Sequence, residues 1–399
     1  MPQHHHPLLI VLFAAALAPL FNELPIRLRL PLVVIELLLG IAIGPQVLDL
    51  VGDEAGVRAL SALGLCFLFF LAGMDLDFST LRGTPLRLGG LGWTVSIVLA
   101  LALTQALSAA GLAFDPFLVG VALATTAIGT LLPILREADD LDSQLGRCVL
   151  GAGAIGEFAP IILFSLIMAG DGKLAQRSEL LITFIFIALT CVVLVLRVRP
   201  PQVIEILSRT LYKTSQFPVR LSMLLLASMV VMADTFGLNL LLGAFAAGAV
   251  VGLVARGPEA EPFRHKLDAI GFGFLIPIFF IASGTQIDVV ALFASPDSLL
   301  RVPLFVALFL LVRGAPALLY RRALGKREQL ALALLSATSL PLVVVIADLG
   351  RATGKISPEN AAALVGAAIL TVLVFPLIAL SLRSKRAPAA AAEIDSEAL

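Results

Sequence analysis

Three ionisable side chains sit near the middle of long apolar runs: Glu36 in PLVVIELLLGIAIGP, Glu157 in GAGAIGEFAPIIL and Arg313 in LFVALFLLVRGAPALL. A charge at the bilayer centre costs about 2.5–3.5 kcal/mol on insertion scales, so each is a functional candidate by position alone. Glu157 is the strongest of the three. Gly151, Gly153 and Gly156 precede it and Pro160 follows it, so neighbouring backbone can approach closely. A lone carboxylate withdrawn from water holds either a proton or a dehydrated monovalent cation, and that competition is the minimal chemistry of cation/proton exchange. A structural Glu157–Arg313 ion pair is the alternative reading. Glu36 precedes a Gly40-x-x-x-Gly44 spacing that suits close helix contact, so its expected part is packing or hydrogen bonding as a supporting charge. Asp75, Asp77, Asp234, Asp268, Asp288 and Asp348 fall near the ends of apolar runs, where a solvated terminus is the expected surrounding.

Two apolar runs carry the same local irregularity. One reads ALATTAIGTLLPIL and the other LLSATSLPLVVV, each with an Ala-Thr-Thr/Ser triplet (Ala124-Thr125-Thr126, Ala337-Thr338-Ser339) followed by Pro133 or Pro341. Proline removes a backbone donor and clashes one turn back, so Pro133, Thr338, Ser339 and Pro341 mark two expected helix breaks. Thr125, Thr126 and the freed carbonyls would complete an oxygen shell around a cation held at Glu157.

These groups need elements to hold them. A spanning helix takes about 20 apolar residues, and Pro, Gly and charge punctuation divides the chain into thirteen such runs: 7–24, 31–49, 58–75, 86–111, 116–136, 144–169, 179–197, 218–236, 238–255, 262–287, 300–320, 328–349 and 358–382. The fold class is therefore an all-α polytopic membrane protein with thirteen transmembrane helices. The two irregular runs are the fifth and twelfth, so they cross the membrane in opposite directions. That is the pattern of an inverted repeat whose broken helices meet at a midplane site. With the N-terminus outside, 21 of the 28 Lys and Arg residues lie on the cytoplasmic side and six outside, with Arg313 left within a span. The positive-inside rule then places the N-terminus outside and the C-terminus in the cytoplasm of a cell (inner or plasma) membrane protein. The VIEILSRTLYK segment of loop 198–217 is expected as an interfacial connecting helix.

Composition closes off other classes. Of 399 residues, 59% are hydrophobic and 14% charged, with mean hydropathy +1.02, against about 45–50% and 25% in soluble domains. Equal numbers of basic and acidic residues, 28 each, give no field for nucleic-acid binding. Cys66, Cys148 and Cys191 are isolated in apolar runs and read as small core residues. No nucleophile–base pair, resident metal cluster or cofactor loop supports an enzyme, and no cofactor is expected; GRATGK at 350–355 lacks the spacer and hydroxyl of a phosphate loop. His4–His6 carry no expected metal role. The basic-free start before the first apolar run leads us to expect that span to be retained rather than cleaved.

From about residue 20 to 382, the segments IELLLGIAIGP, FLFFLAGMDLD, ALATTAIGTLLPILRE, LGRCVLGAGAIGEF, LLGAFAAGAVVG and LIPIFFIASGTQID and the basic run around Arg313, in this order and spacing, resemble the monovalent cation:proton antiporters. The branch is that of the bacterial sodium/proton and potassium-efflux antiporters. The resemblance implies a homodimer whose protomer has a core transport domain (86–169 and 300–382) and a dimer scaffold (1–85 and 170–299, with the connecting helix), followed by a short cytoplasmic tail (383–399). It also implies elevator-like alternating access, with the broken helices crossing beside Glu157 and Arg313 as the core's basic residue. Members of this branch commonly carry two adjacent acids, or an amide and an acid, where this chain has Gly156-Glu157. One carboxylate implies exchange of one Na+ or K+ for one H+ without net charge movement. Two rivals stay open: a sodium-coupled organic-anion symporter, and a non-transporting sensor derived from an antiporter.

Overall fold

The structure, a computed structural model, describes residues 6–23, 31–52, 54–75, 84–138, 140–141, 143–168, 210, 212–255, 260–288, 290 and 296–382. Among them the chain is helical, with no strand beyond an isolated Phe114–Ile356 bridge. The helices are α1 (Pro7–Glu23), α2 (Leu32–Ile43), α3 (Ala55–Met74), α4 (Thr84–Ala109), α5 (Pro116–Leu123), α6 (Ile128–Glu137) and α7 (Gln144–Met168). There follow α8 (Phe217–Thr235), α9 (Leu240–Val254), α10 (Ala260–Ile270), α11 (Ile276–Thr285), α12 (Pro296–Gly314), α13 (Lys326–Ser336), α14 (Pro341–Ala352) and α15 (Pro358–Leu382). A π-helical turn, Gly271–Leu275, joins α10 to α11, and a 3-10 segment, Ala315–Tyr320, extends α12.

Among the described residues, eight spans are long and apolar enough to cross a membrane, and four shorter apolar helices (7–21, 32–43, 116–131 and 240–254) match further expected spans. The run at 179–197, most of the connecting helix expected at 203–213 (203–209 and 211) and the tail lie outside the described residues.

The fifth and twelfth spans are both broken, for different local reasons. Asp115 caps α5, its carboxylate accepting the N–H of Phe117 (2.9 Å) and Leu118 (3.2 Å) with Pro116 in the first turn, a favourable start. α5 stops at Leu123, and Ala124–Ala127 run as irregular backbone before α6. Pro133, expected at the break, lies six residues into α6; proline does not make this break. Pro341 does make the other. It opens α14 in the first helical turn, where its missing N–H costs nothing, and Leu340 before it lies off the helical region at φ −150°, ψ −58°.

The two broken spans run antiparallel. Asp115 N–H donates to the Lys355 carbonyl (2.7 Å) and Ser357 N–H to that of Ala113 (3.1 Å), so the start of α5 and the end of α14 share one end of the bundle. At the opposite end Leu131, Leu135 and Leu145 share an apolar cluster with Leu324, Leu332 and Leu335.

Packing divides between two groups. α3 lies on α9 and α11, α2 on α11 and α8 on α9, while α4 lies on α7 and α5, and α15 gathers α12, α13 and α14. Small residues make the first group's approach possible. A Cβ on Gly248 would meet the Phe70 carbonyl, one on Gly252 the Met74 carbonyl, and one on Gly40 the Ile281 carbonyl, so both GxxxG spacings are packing seams. Gly248→Val is expected to lower stability by about 1–3 kcal/mol through backbone overpacking, read as an earlier thermal transition in detergent. Gly90→Ala, at a position with nothing within 4 Å, should leave the transition in place or raise it.

Candidate functional site

The unwound segments meet through their backbones. Ala127 N–H donates to the Thr338 carbonyl (2.9 Å), and Thr126 N–H to the Gly156 carbonyl of α7 (2.9 Å). One bond ties the two crossing segments together; the other ties them to the turn that carries Glu157. The Thr125 and Ser339 hydroxyls hydrogen-bond across the crossing, Thr125 also donating to the Ala122 carbonyl (2.8 Å). Thr371 of α15 braces the same point: its hydroxyl accepts from Ser339 N–H (3.2 Å) and faces the Ser339 carbonyl at 3.2 Å. Trp93 donates its indole N–H to the Ala124 carbonyl (3.2 Å). The Thr125, Thr126 and Ala337 carbonyls accept no backbone N–H among the described residues.

Glu157 is half-buried on α7, and its carboxylate faces the backbone N–H of Ile128, the first residue of α6. The positive end of a half-helix thus addresses it. On the next residue, Phe158 stacks on Phe245 of α9 with ring centroids 5.1 Å apart, so Glu157 stands where the two helix groups meet.

Arg313 is almost wholly buried and pairs with neutral oxygens rather than with Glu157. Its Nε and Nη2 donate to Thr126 Oγ1 at 2.9 and 2.7 Å, Nη2 also to the Ala152 carbonyl (3.1 Å), and Nη1 to Ser96 Oγ (3.2 Å). A longer bond (3.4 Å) reaches the Ser336 carbonyl at the C-terminus of α13, where a helix dipole favours a cation. The expected alternative of a Glu157–Arg313 ion pair is therefore not what the geometry contains: the partners of Arg313 are hydroxyl and carbonyl oxygens.

The same bonds engage Thr126. A hydroxyl has one proton and two lone pairs; Thr126 gives its proton to the Ser336 carbonyl and both lone pairs to Arg313. In this geometry its hydroxyl is fully engaged. Thr125 and Ser339 keep lone pairs beyond their mutual bond. Thr338 turns instead to the Leu334 carbonyl (3.2 Å).

Gly156 has a steric reason. A Cβ there would fall on Arg313 Nη2 and 2.9 Å from Thr126 Oγ1, so the guanidinium occupies the space a side chain would need.

Glu36 is brought elsewhere. It is buried in α2, which packs on α1 and α11, and it is not among the partners of Arg313. Ser96, Thr371 and Asp348 are polar groups that sequence reasoning missed or set aside. Ser96 and Thr371 are single hydroxyls in apolar runs, the only signal available. Asp348, expected at a solvated end, is instead half-buried and hydrogen-bonded with Ser283 of α11.

Residues 11–380 match the family model described as "Sodium/hydrogen exchanger, transmembrane". Among curated relatives, the chain is 27% identical to "Putative Na(+)/H(+) antiporter YjbQ" of Bacillus subtilis, over 93% of this chain and 62% of that protein. It is 28% identical to "Cation/H(+) antiporter 19" of Arabidopsis thaliana, over 92% of this chain and 48% of that one. The chain thus spans about half to two thirds of the length of these two relatives. Among solved structures it resembles that of the sodium proton antiporter MjNhaP1 from Methanocaldococcus jannaschii, with TM-score 0.68 and 15% identity over 94% of this chain and 98% of that one. The fold is shared at that level.

Proposed function

The chain belongs to the sodium/hydrogen exchanger transmembrane family, and from that premise we propose that it exchanges a monovalent cation, Na+ or K+, for H+ across a cell membrane by alternating access. The observation that carries the proposal is the backbone crossing, Ala127 to Thr338, tied through Gly156 to the turn bearing Glu157. A broken-helix crossing with unpaired carbonyls beside one half-buried carboxylate can strip water from a small cation. It offers little for a large organic anion, which favours exchange over the symporter reading.

In this reading Glu157 holds either the proton or the cation. The Thr125 and Ser339 hydroxyls and the carbonyls of the unwound segments complete the cation's oxygen shell. Arg313 binds no substrate: it ties Thr126, α7 and the end of α13 into one rigid crossing. An arginine does not release its proton in a protein, so one carboxylate carries one charge either way, and the exchange is electroneutral. The group α4–α7 with α12–α15 is the moving core, and α1–α3 with α8–α11 is the scaffold through which two copies pair. The N-terminus faces outside and the C-terminus the cytoplasm, as the loop charges favour.

The test is proton flux in sealed proteoliposomes, followed with a pH-sensitive dye on adding Na+, K+, Li+ or choline, with the membrane potential free or clamped. Dequenching with an alkali cation but not choline, unchanged by the clamp, is the expected result. Absence of flux with every alkali cation would move the weight to the symporter and sensor readings. A second outcome concerns the shell: Ser339→Ala is expected to raise the half-saturating cation concentration by about tenfold, the equivalent of about 1.4 kcal/mol, with little change in maximal rate.

A further inference from the structure

We propose that Ser165, Ser283, Gln286, Asp348 and Arg351, with the backbone of Asn239, form a latch across one end of the seam between the two helix groups, closing that end while Glu157 is open to the other. The proposal rests on the alternating-access reading above. Three polar links cross the seam. The Asp348 carboxylate of α14 is hydrogen-bonded with Ser283 of α11. Arg351 Nη2, one turn further along α14, donates to Gln286 Oε1 (3.0 Å). Asn239 N–H, at the start of α9, donates to Ser165 Oγ of α7 (3.0 Å).

The three lie at the same end of the bundle. Gly350, between Asp348 and Arg351, is bonded to Ile356 N–H (3.0 Å), and Ile356 bridges Phe114 just before α5. α5 and α6 run from that end to the opposite one, and α7 runs back, so Ser165, near the finish of α7, returns to the Phe114 end. On the orientation proposed from the loop charges, this end faces outside. The remaining ring contact across the seam, Phe158 on Phe245, is apolar and can slide; hydrogen bonds at 3.0 Å cannot, because they weaken steeply with distance and angle.

The links carry their own alternative partners. Arg351 Nε is buried with no hydrogen-bond partner among the described residues, and Asp348 lies three residues before it on the same helix, the spacing at which helix side chains meet. If α14 slides past α11, Asp348 loses Ser283 and Arg351 loses Gln286, and the two released groups can turn to each other. Each position then offers Asp348 and Arg351 a polar partner, which is what a two-state element needs. The charged groups facing Asp348 in the described structure reduce to Arg351.

The experiment uses the full chain in a background with Cys66, Cys148 and Cys191 replaced by Ser. Ser165→Cys with Asn239→Cys places two thiols at the third link, and bond formation is followed as loss of maleimide labelling in nanodiscs. A bond is expected to form readily, and adding Ser283→Ala and Gln286→Ala is expected to slow it several-fold, because the seam then spends more time open. In proteoliposomes the cross-linked protein should fall to the leak of protein-free vesicles and recover on reduction. No cross-link, or a rate indifferent to Ser283→Ala and Gln286→Ala, overturns the latch; so does full exchange by cross-linked protein. The nanodisc arm needs no transport, so a chain that cross-links as expected but never exchanges cations would sink the antiport reading and leave the latch standing.

Discussion

Glu157→Gln should reduce cation-coupled proton flux to the leak of empty vesicles with every alkali cation, and should leave the thermal transition where it was. The amide keeps the size and the oxygen of the carboxylate, so the Ile128 N–H it faces retains an acceptor and the crossing retains its bonds. What it loses is the charge that a proton or a cation must neutralise. Glu157→Asp keeps the charge but withdraws it by one methylene, so slow exchange with an altered order of cation preference is expected. In the wild type, proton and cation share one carboxylate. Lowering the pH on the cation side should therefore raise the half-saturating cation concentration without lowering the maximal rate. If acid instead lowered the maximal rate alone, proton and cation would sit on different groups. An active Glu157→Gln protein would remove the carboxylate from the mechanism altogether.

Much of this was legible before any coordinates. Twelve of the thirteen apolar runs correspond to described helices, because a bilayer core tolerates only backbone that satisfies itself within the segment and hydropathy reports that directly. The pairing of two irregular runs seven spans apart also read correctly as two broken, antiparallel helices. The cause of the first break did not. Pro133 was the local signal, yet α6 carries Pro133 in its interior. What holds Ala124–Ala127 out of the helix is contact with other spans, from Trp93, Gly156 and Thr338, and such contacts have no signature in the run itself. The partners of Arg313 are a related case. Charge counting seeks a carboxylate for a buried guanidinium, whereas the broken helices expose hydroxyl and carbonyl oxygens that solvate it in water's place. Asp348 is the converse case: its position near a span's end says nothing of Ser283, which arrives from a different helix to cover it.

The second large effect concerns how Arg313 and Gly156 depend on each other. Arg313→Met preserves length and much of the apolar stem but removes the fork, and it leaves Thr126 Oγ1, Ser96 Oγ and the Ala152 carbonyl each short of a donor. Thr126 and Ser96 keep their own bonds to the Ser336 and Val312 carbonyls, so what is lost is the set of bonds to the guanidinium; at about 1.5–3 kcal/mol for each hydrogen bond to a charged group, the core should lose several kcal/mol, with an early thermal transition in detergent and no measurable exchange. Lysine should not rescue it, since a compact ammonium cannot reach both sides of the fork at once. Gly156→Ala is expected to do similar damage by a different route: its Cβ displaces the guanidinium that lies against Gly156. The two substitutions should therefore be strongly non-additive, the double variant hardly worse than Arg313→Met alone, because groups in direct contact couple where distant ones add. Full additivity of the two losses would mean that Gly156 is constrained by something other than Arg313. The same contact gives a reason for the single carboxylate. With the guanidinium held against Gly156, a second acid at that position has no room unless Arg313 gives up Thr126, and the crossing is then held by one anchor fewer.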